Sequence, residues 1–214
     1  SFGRVPIDPP YLGRVAGPLT RTVADCALLM QVLSEPDWRD HMCLPPAGIE
    51  WRQLDGDPMG LKLGLLLDIG VGLPPEPEMK AAITAAANAF AEAGASVQQM
   101  PPFLTRTMLD GLDKFWRVRA WSDMANLPAE RLYKVLPYIR QWAEGGARLS
   151  GLELFRGFSQ IMEIRAATIA ACRPYDFVLS PTAPVPAFAA ELASPIDDPA
   201  KPFVALVGGA KVSD

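Results

Sequence analysis

Between residues 61 and 100 an apolar run, an amphipathic segment and a second apolar run follow one another with short connections. Residues 62–67 read as a short strand, residues 77–93 set Met79, Ile83, Ala87 and Phe90 on one helical face, and residues 95–100 read as a second strand. Gly94 stands where a helix end calls for a left-handed residue. Two strands joined through a helix pair in parallel, and the crossover between them is right-handed. This one stretch commits the chain to an α/β architecture, read as a mixed sheet flanked by helices.

The flanking sequence fits around that unit. Residues 1–17 contain Pro6, Pro9, Pro10 and three glycines, which excludes a long helix there and predicts an extended lead-in. Thr22 and Asp25 have the spacing of a capping box ahead of Ala27, Leu28, Met30 and Leu33, so a helix is expected over residues 22–33. Residues 34–60 have no sustained period and read as a long loop. Leu109, Leu112, Trp116 and Ala120 share one helical face, and Leu132, Val135, Ile139 and Trp142 another, with Pro137 expected to kink or split the second helix. A helix over residues 151–172 is expected to turn Phe155, Phe158, Met162, Ala166 and Ile169 inward and Glu153, Arg156, Gln160 and Glu163 to water. Residues 177–180 read as a strand, and the prolines from Pro181 onward make the remainder mostly loop.

At 214 residues the chain can bury a real core. Half of it is apolar, 21% is charged and the net charge is −4, a balance that argues against a nucleic-acid surface. No run approaches the roughly 20 apolar residues that span a bilayer, so no membrane partner is expected. Three cysteines, Cys26, Cys43 and Cys172, are an odd number at unrelated spacings; a reducing compartment, and hence the cytoplasm, is the expected location.

Nucleophilic catalysis by Ser-His-Asp or Cys-His needs an imidazole to take the nucleophile's proton. The sequence has one, His41, beside Asp37, Asp40 and Cys43 in a Pro-flanked loop where sequence neighbours need not converge, and it is read as a solvated loop histidine. A metal site from Cys26, His41, Cys43 and Cys172 lacks any paired ligand spacing, so no metal and no cofactor is expected. The carboxylate pairs Glu76/Glu78 and Asp197/Asp198 read as helix-start and turn residues. Trp116, Trp121, Trp142, Phe155 and Phe158 read as packing rather than ligand stacking.

Several segments in order resemble the amidase-signature family: residues 1–6 (Ser-Phe-Gly-Arg-Val-Pro), 17–25 (Gly-Pro-Leu-Thr-Arg-Thr-Val-Ala-Asp), 37–40 (Asp-Trp-Arg-Asp), 61–64 (Leu-Lys-Leu-Gly), 93–97 (Ala-Gly-Ala-Ser-Val) and 175–184 (Tyr-Asp-Phe-Val-Leu-Ser-Pro-Thr-Ala-Pro). The resemblance implies an α/β fold and acyl transfer, in which a serine activated through a second serine and a lysine attacks an amide carbonyl while backbone N–H groups hold the oxyanion. In family order those three residues precede residue 1. The expectation is therefore a partial amidase-signature domain over residues 1–200 with an incomplete sheet and no catalytic residue of its own, inactive alone, whose parent enzyme acts on a small-molecule amide. Pro181, Thr182 and Pro184 are the expected substrate-binding residues. Self-association through an uncovered face is a further expectation, as is a non-catalytic interaction module. The tail, residues 201–214, departs from the pattern and resembles a segment of phosphoglycerate kinase, in which Gly208 to Lys211 would make a phosphate-facing turn.

Overall fold

The computed structural model describes residues 4–7 and 14–187. They fall into two compact units, Ser1–Asp57 and Pro58–Asp214. The tail with its kinase-like turn, and the pair Asp197/Asp198, lie outside the described residues.

In the first unit helix α1 spans Val23–Leu33. The Thr22 hydroxyl accepts the Asp25 N–H at 3.1 Å, satisfying one of the amide groups a helix start leaves unpaired. The return bond of a full capping box is not made between these two residues. Past α1 the chain is irregular, as its lack of period predicts, and side chains substitute for a ladder. The buried Asp40 carboxylate accepts the N–H groups of Ile7 at 3.0 Å and Met42 at 2.8 Å, and the Trp51 indole donates to Ser34 Oγ at 2.8 Å.

The second unit holds the predicted crossover. Strand β1 (Lys62–Leu65) leads through α2 (Pro77–Glu92) to β2 (Ser96–Gln99), which pairs with β1 in parallel, Leu63 opposite Val97. Helix α2 ends in a Schellman motif: Gly94, at φ 95°, donates to the Ala91 carbonyl and Ala95 to that of Phe90, both at 3.0 Å. Of the expected stripe on α2, Ala87 is buried, Met79 and Ile83 are half-buried, and Phe90 is exposed.

From β2 the chain makes a long helical excursion through α3 (Arg106–Met124), α4 (Ala129–Leu132), α5 (Pro137–Glu144), a 3-10 turn (Gly145–Arg148) and α6 (Gly151–Cys172) before β3 (Phe177–Leu179). Pro137 does split the expected second helix: it occupies the first turn of α5, where its missing N–H costs nothing. Strand β3 pairs in parallel with the other edge of β1, giving the order β2-β1-β3, and every described strand pair is parallel. Asp176 locks the start of that pairing, its N–H donating to the Lys62 carbonyl and its carboxylate accepting the Lys62 N–H, both at 2.8 Å.

Helices α3 and α6 meet at Gly111 and Gly157. A Cβ on Gly157 would lie 2.9 Å from the Gly111 carbonyl oxygen, so the two backbones touch where these glycines stand. Around them Ile161 is 5% exposed, and the Phe115 and Phe158 rings pack at 5.7 Å. Asp113 ties α5 to α3 by accepting from Arg117 Nε at 2.6 Å and from the Trp142 indole at 2.9 Å, with the guanidinium over the indole ring.

The orientation of α6 differs from the sequence expectation. Phe155 is 69% exposed and Ile169 52%, with Met162 and Ala166 also outward, while Gln160, expected in water, covers Gly111. Two apolar stripes run along α6, and periodicity alone cannot rank them. The stripe containing Gly157 faces α3 because only there can the helices approach to backbone contact.

Candidate active-site cleft

Chain direction across the sheet reverses at β1. One crossover carries the chain from β1 to β2, and the return excursion brings β3 to the opposite edge, so a crevice opens outside the carboxyl ends of β1 and β3. Two loops build it, residues 66–75 after β1 and residues 180–184 after β3. The Leu66 N–H donates to the Leu179 carbonyl at 2.9 Å and carries the strand pairing to the lip of the crevice.

The first loop is fixed by its own chemistry. Asp68 accepts the Gly70 N–H at 2.8 Å in an Asx turn, and the Ile69 carbonyl accepts N–H groups from Phe103 at 3.2 Å and Leu104 at 2.8 Å. Gly70 has φ 101°, and a Cβ there would run into the Leu104 carbonyl oxygen, so glycine is required on both counts. The second loop is tied to the start of α2, where the Glu76 N–H donates to the Pro184 carbonyl at 2.7 Å.

Together they enclose a cleft of about 580 Å³, within the usual range for small-molecule sites. Leu66, Leu67, Ile69, Val71 and Leu73 give it apolar walls, Ser180 and Thr182 add hydroxyls, and Asp68 and Lys80 are its ionisable side chains. Pro181, Thr182 and Pro184, singled out in the sequence, all line it. Neither hydroxyl is hydrogen-bonded to a base among the described residues. Sequence reasoning missed the 66–75 loop and Lys80. The signal was present: Gly70, Gly72 and the Pro74-Pro75 pair directly follow a strand, where sites on parallel sheets collect.

The other candidates do not converge. His41 is exposed, Asp40 is engaged by backbone amides, and no hydrogen bond joins His41 to Cys43 among the described residues. Asp37 is lowered from 3.8 to about 2, first by the Arg39 side chain, which donates at 2.9 and 2.6 Å, and then by the Arg39 N–H. It is an ion-paired turn residue. Glu76 and Glu78 stand at the α2 start, as expected. Among the described residues no group of three or more His, Cys, Asp or Glu is placed to hold a metal, and no helix is long and apolar enough to cross a membrane.

The profile of the Amidase family matches residues 11–209. The chain belongs to the Amidase family. An acylamidase from Rhodococcus erythropolis is 27% identical over 168 residues, covering 78% of this chain and 35% of that protein. A glutamyl-tRNA(Gln) amidotransferase subunit from Myxococcus xanthus is 28% identical over 209 residues, covering 86% of this chain and 42% of that protein. The chain thus spans about two fifths of the length of these relatives. Among solved structures, a bacterial aryl acylamidase of the amidase-signature enzymes superposes with a TM-score of 0.70 at 25% identity, covering 83% of this chain and 39% of that one. The small parallel sheet with its helices is the α/β fold of amidase-signature proteins, and the family match runs into the tail as far as residue 209.

Proposed function

We propose that this chain is part of an enzyme that hydrolyses carboxylic amides by acyl transfer, and that it contributes the cleft at the ends of β1 and β3 as one wall of the substrate site. This partial domain takes in residues 1–200 and, by the family match, runs on as far as residue 209. Pro181, Thr182 and Pro184 contact the substrate. The nucleophilic serine, its partner serine and the lysine come from a part of the fold outside these 214 residues, so the chain alone is inactive. The observation that carries the reading is that the Pro-Thr-Ala-Pro segment, which resembles the family sequence, lines a cleft at the carboxyl ends of parallel strands. Similarity to proteins described as an acylamidase and an aryl acylamidase supports amide chemistry. Purified chain should release no product from simple aliphatic and aryl amides. Turnover that survives purification and is abolished by His41→Ala or Cys43→Ala would replace this reading with a site in the first unit.

A second reading, a non-catalytic interaction module, is favoured by the apolar stripe on α6 and by Phe177, 61% exposed on β3. Such faces promote association, with a partner or a second copy. A compact monomer in size-exclusion chromatography counts against it.

A further inference from the structure

The outward stripe of α6 has a period of its own. Leu152, Phe155, Ser159, Met162, Ala166 and Ile169 follow one another at steps of three, four, three, four and three, the a and d positions of successive heptads. All are exposed except Ser159, which is half-buried. Gly157 occupies position f, on the side of the helix opposite this seam, so its contact with α3 leaves the seam clear of that helix. Beside the seam, at successive e positions, stand Arg156 and Glu163, both exposed and opposite in sign. One apolar face suffices to join a helix to its own core; α6 carries a second, at the 3.5-residue spacing of a helix–helix seam.

We propose that α6 pairs with α6 of a second copy of this chain, antiparallel about a two-fold axis. With Leu152 of one copy beside Ile169 of the other, Phe155 meets Ala166 and Met162 meets Ser159, so each of these layers sets a large side chain against a small one. In the same register Arg156 of each copy lies beside Glu163 of the other, and the two-fold makes that contact twice. A parallel pair does neither: it stacks Phe155 on Phe155 and sets Arg156 against Gly151 and Glu163 against Phe158. The inference rests on the association named in the second reading above, and adds the face, the occupant and the register. Two helices about 30 Å long and 10 Å wide that each hide nearly half their girth bury roughly 1,000 Å² in all, at the low end for specific pairs. The dimer is therefore weak, with dissociation at ~50 µM, and at the low micromolar concentrations of an unfolding assay the copies are apart.

The test is sedimentation equilibrium of the full 214-residue chain from about 1 to about 500 µM, where the parent should pass from monomer to dimer. Arg156→Glu sets like charges against each other at both ion-pair contacts, and so does Glu163→Arg; each should weaken the dimer about tenfold. An equimolar mixture of the two variants restores both contacts, and should dimerise within about threefold of the parent. Both side chains are exposed, so each variant should melt with the parent. Loss in each variant without recovery in the mixture overturns the antiparallel register. A dimer that both variants, and Phe155→Gln with Ile169→Gln, leave intact overturns the α6 pairing and moves self-association to another face, such as that of Phe177. A parent that stays monomeric throughout overturns the second copy as occupant, and leaves the interaction-module reading with an unlike partner alone.

Discussion

The two faces of α6 are built from similar residues and meet opposite fates. Toward α3 the helix presents Gly157, Phe158 and Ile161, and the chain closes to backbone contact; away from α3 it presents Leu152, Phe155, Met162 and Ile169, more than a third exposed each. Apolar content does not separate these faces. What separates them is a pair of glycines, each costing about 1 kcal/mol of helix propensity relative to alanine, that let two helices touch where larger residues would hold them apart. Burial here follows shape before hydrophobicity.

The sharpest way to break the contrast is to fill the glycine contact. Gly157→Leu forces a side chain against the Gly111 carbonyl and should destabilise the second unit by about 3 kcal/mol, read as a lower urea midpoint with an unchanged slope. The helix start should matter less. Ser150 and Glu153 form a full capping box, with Ser150 Oγ accepting the Glu153 N–H at 3.2 Å and the Glu153 carboxylate accepting the Ser150 N–H at 2.9 Å. Ser150→Ala should therefore cost about 1 kcal/mol in the same assay. The Ser150 N–H, followed by its hydroxyl, lowers Glu153 below its ordinary value of 4.5. A lowered carboxyl stabilises above its unfolded value and loses that contribution as pH falls through the folded one. Alanine keeps the main-chain donor and removes only the hydroxyl, so the midpoint difference between parent and Ser150→Ala should carry only the hydroxyl's smaller share of this effect, constant above pH 4.5 and shrinking below it. Smallest of all should be the outward face: Phe155→Gln with Ile169→Gln should move the midpoint by no more than about 0.5 kcal/mol. A large loss from that double change would show that the stripe is already buried in solution, and would favour the interaction-module reading.

The crossover of α2 between β1 and β2 was legible from spacing and Gly94 alone, because strand, helix and C-cap signals agree over those residues. Pro137 was equally plain, since proline acts through its own ring. The facing of α6 was not legible: two stripes satisfy the same period, and the choice between them depends on Gly111, some 46 residues away in sequence. The candidate site was half legible. Residues 181–184 stood out as a rigid turn with family resemblance, whereas Asp68, Gly70 and Lys80 gained meaning only when the sheet order placed the ends of β1 and β3 side by side.

The tie between the Glu76 N–H and the Pro184 carbonyl uses main-chain atoms only. Any residue except proline at position 76 can donate it, and any residue at 184 can accept it. The two banks of the cleft are thereby held at a set separation while the groups they display remain open to replacement. Selection can retune which molecules such a groove retains, one codon at a time, without re-solving how wide it is.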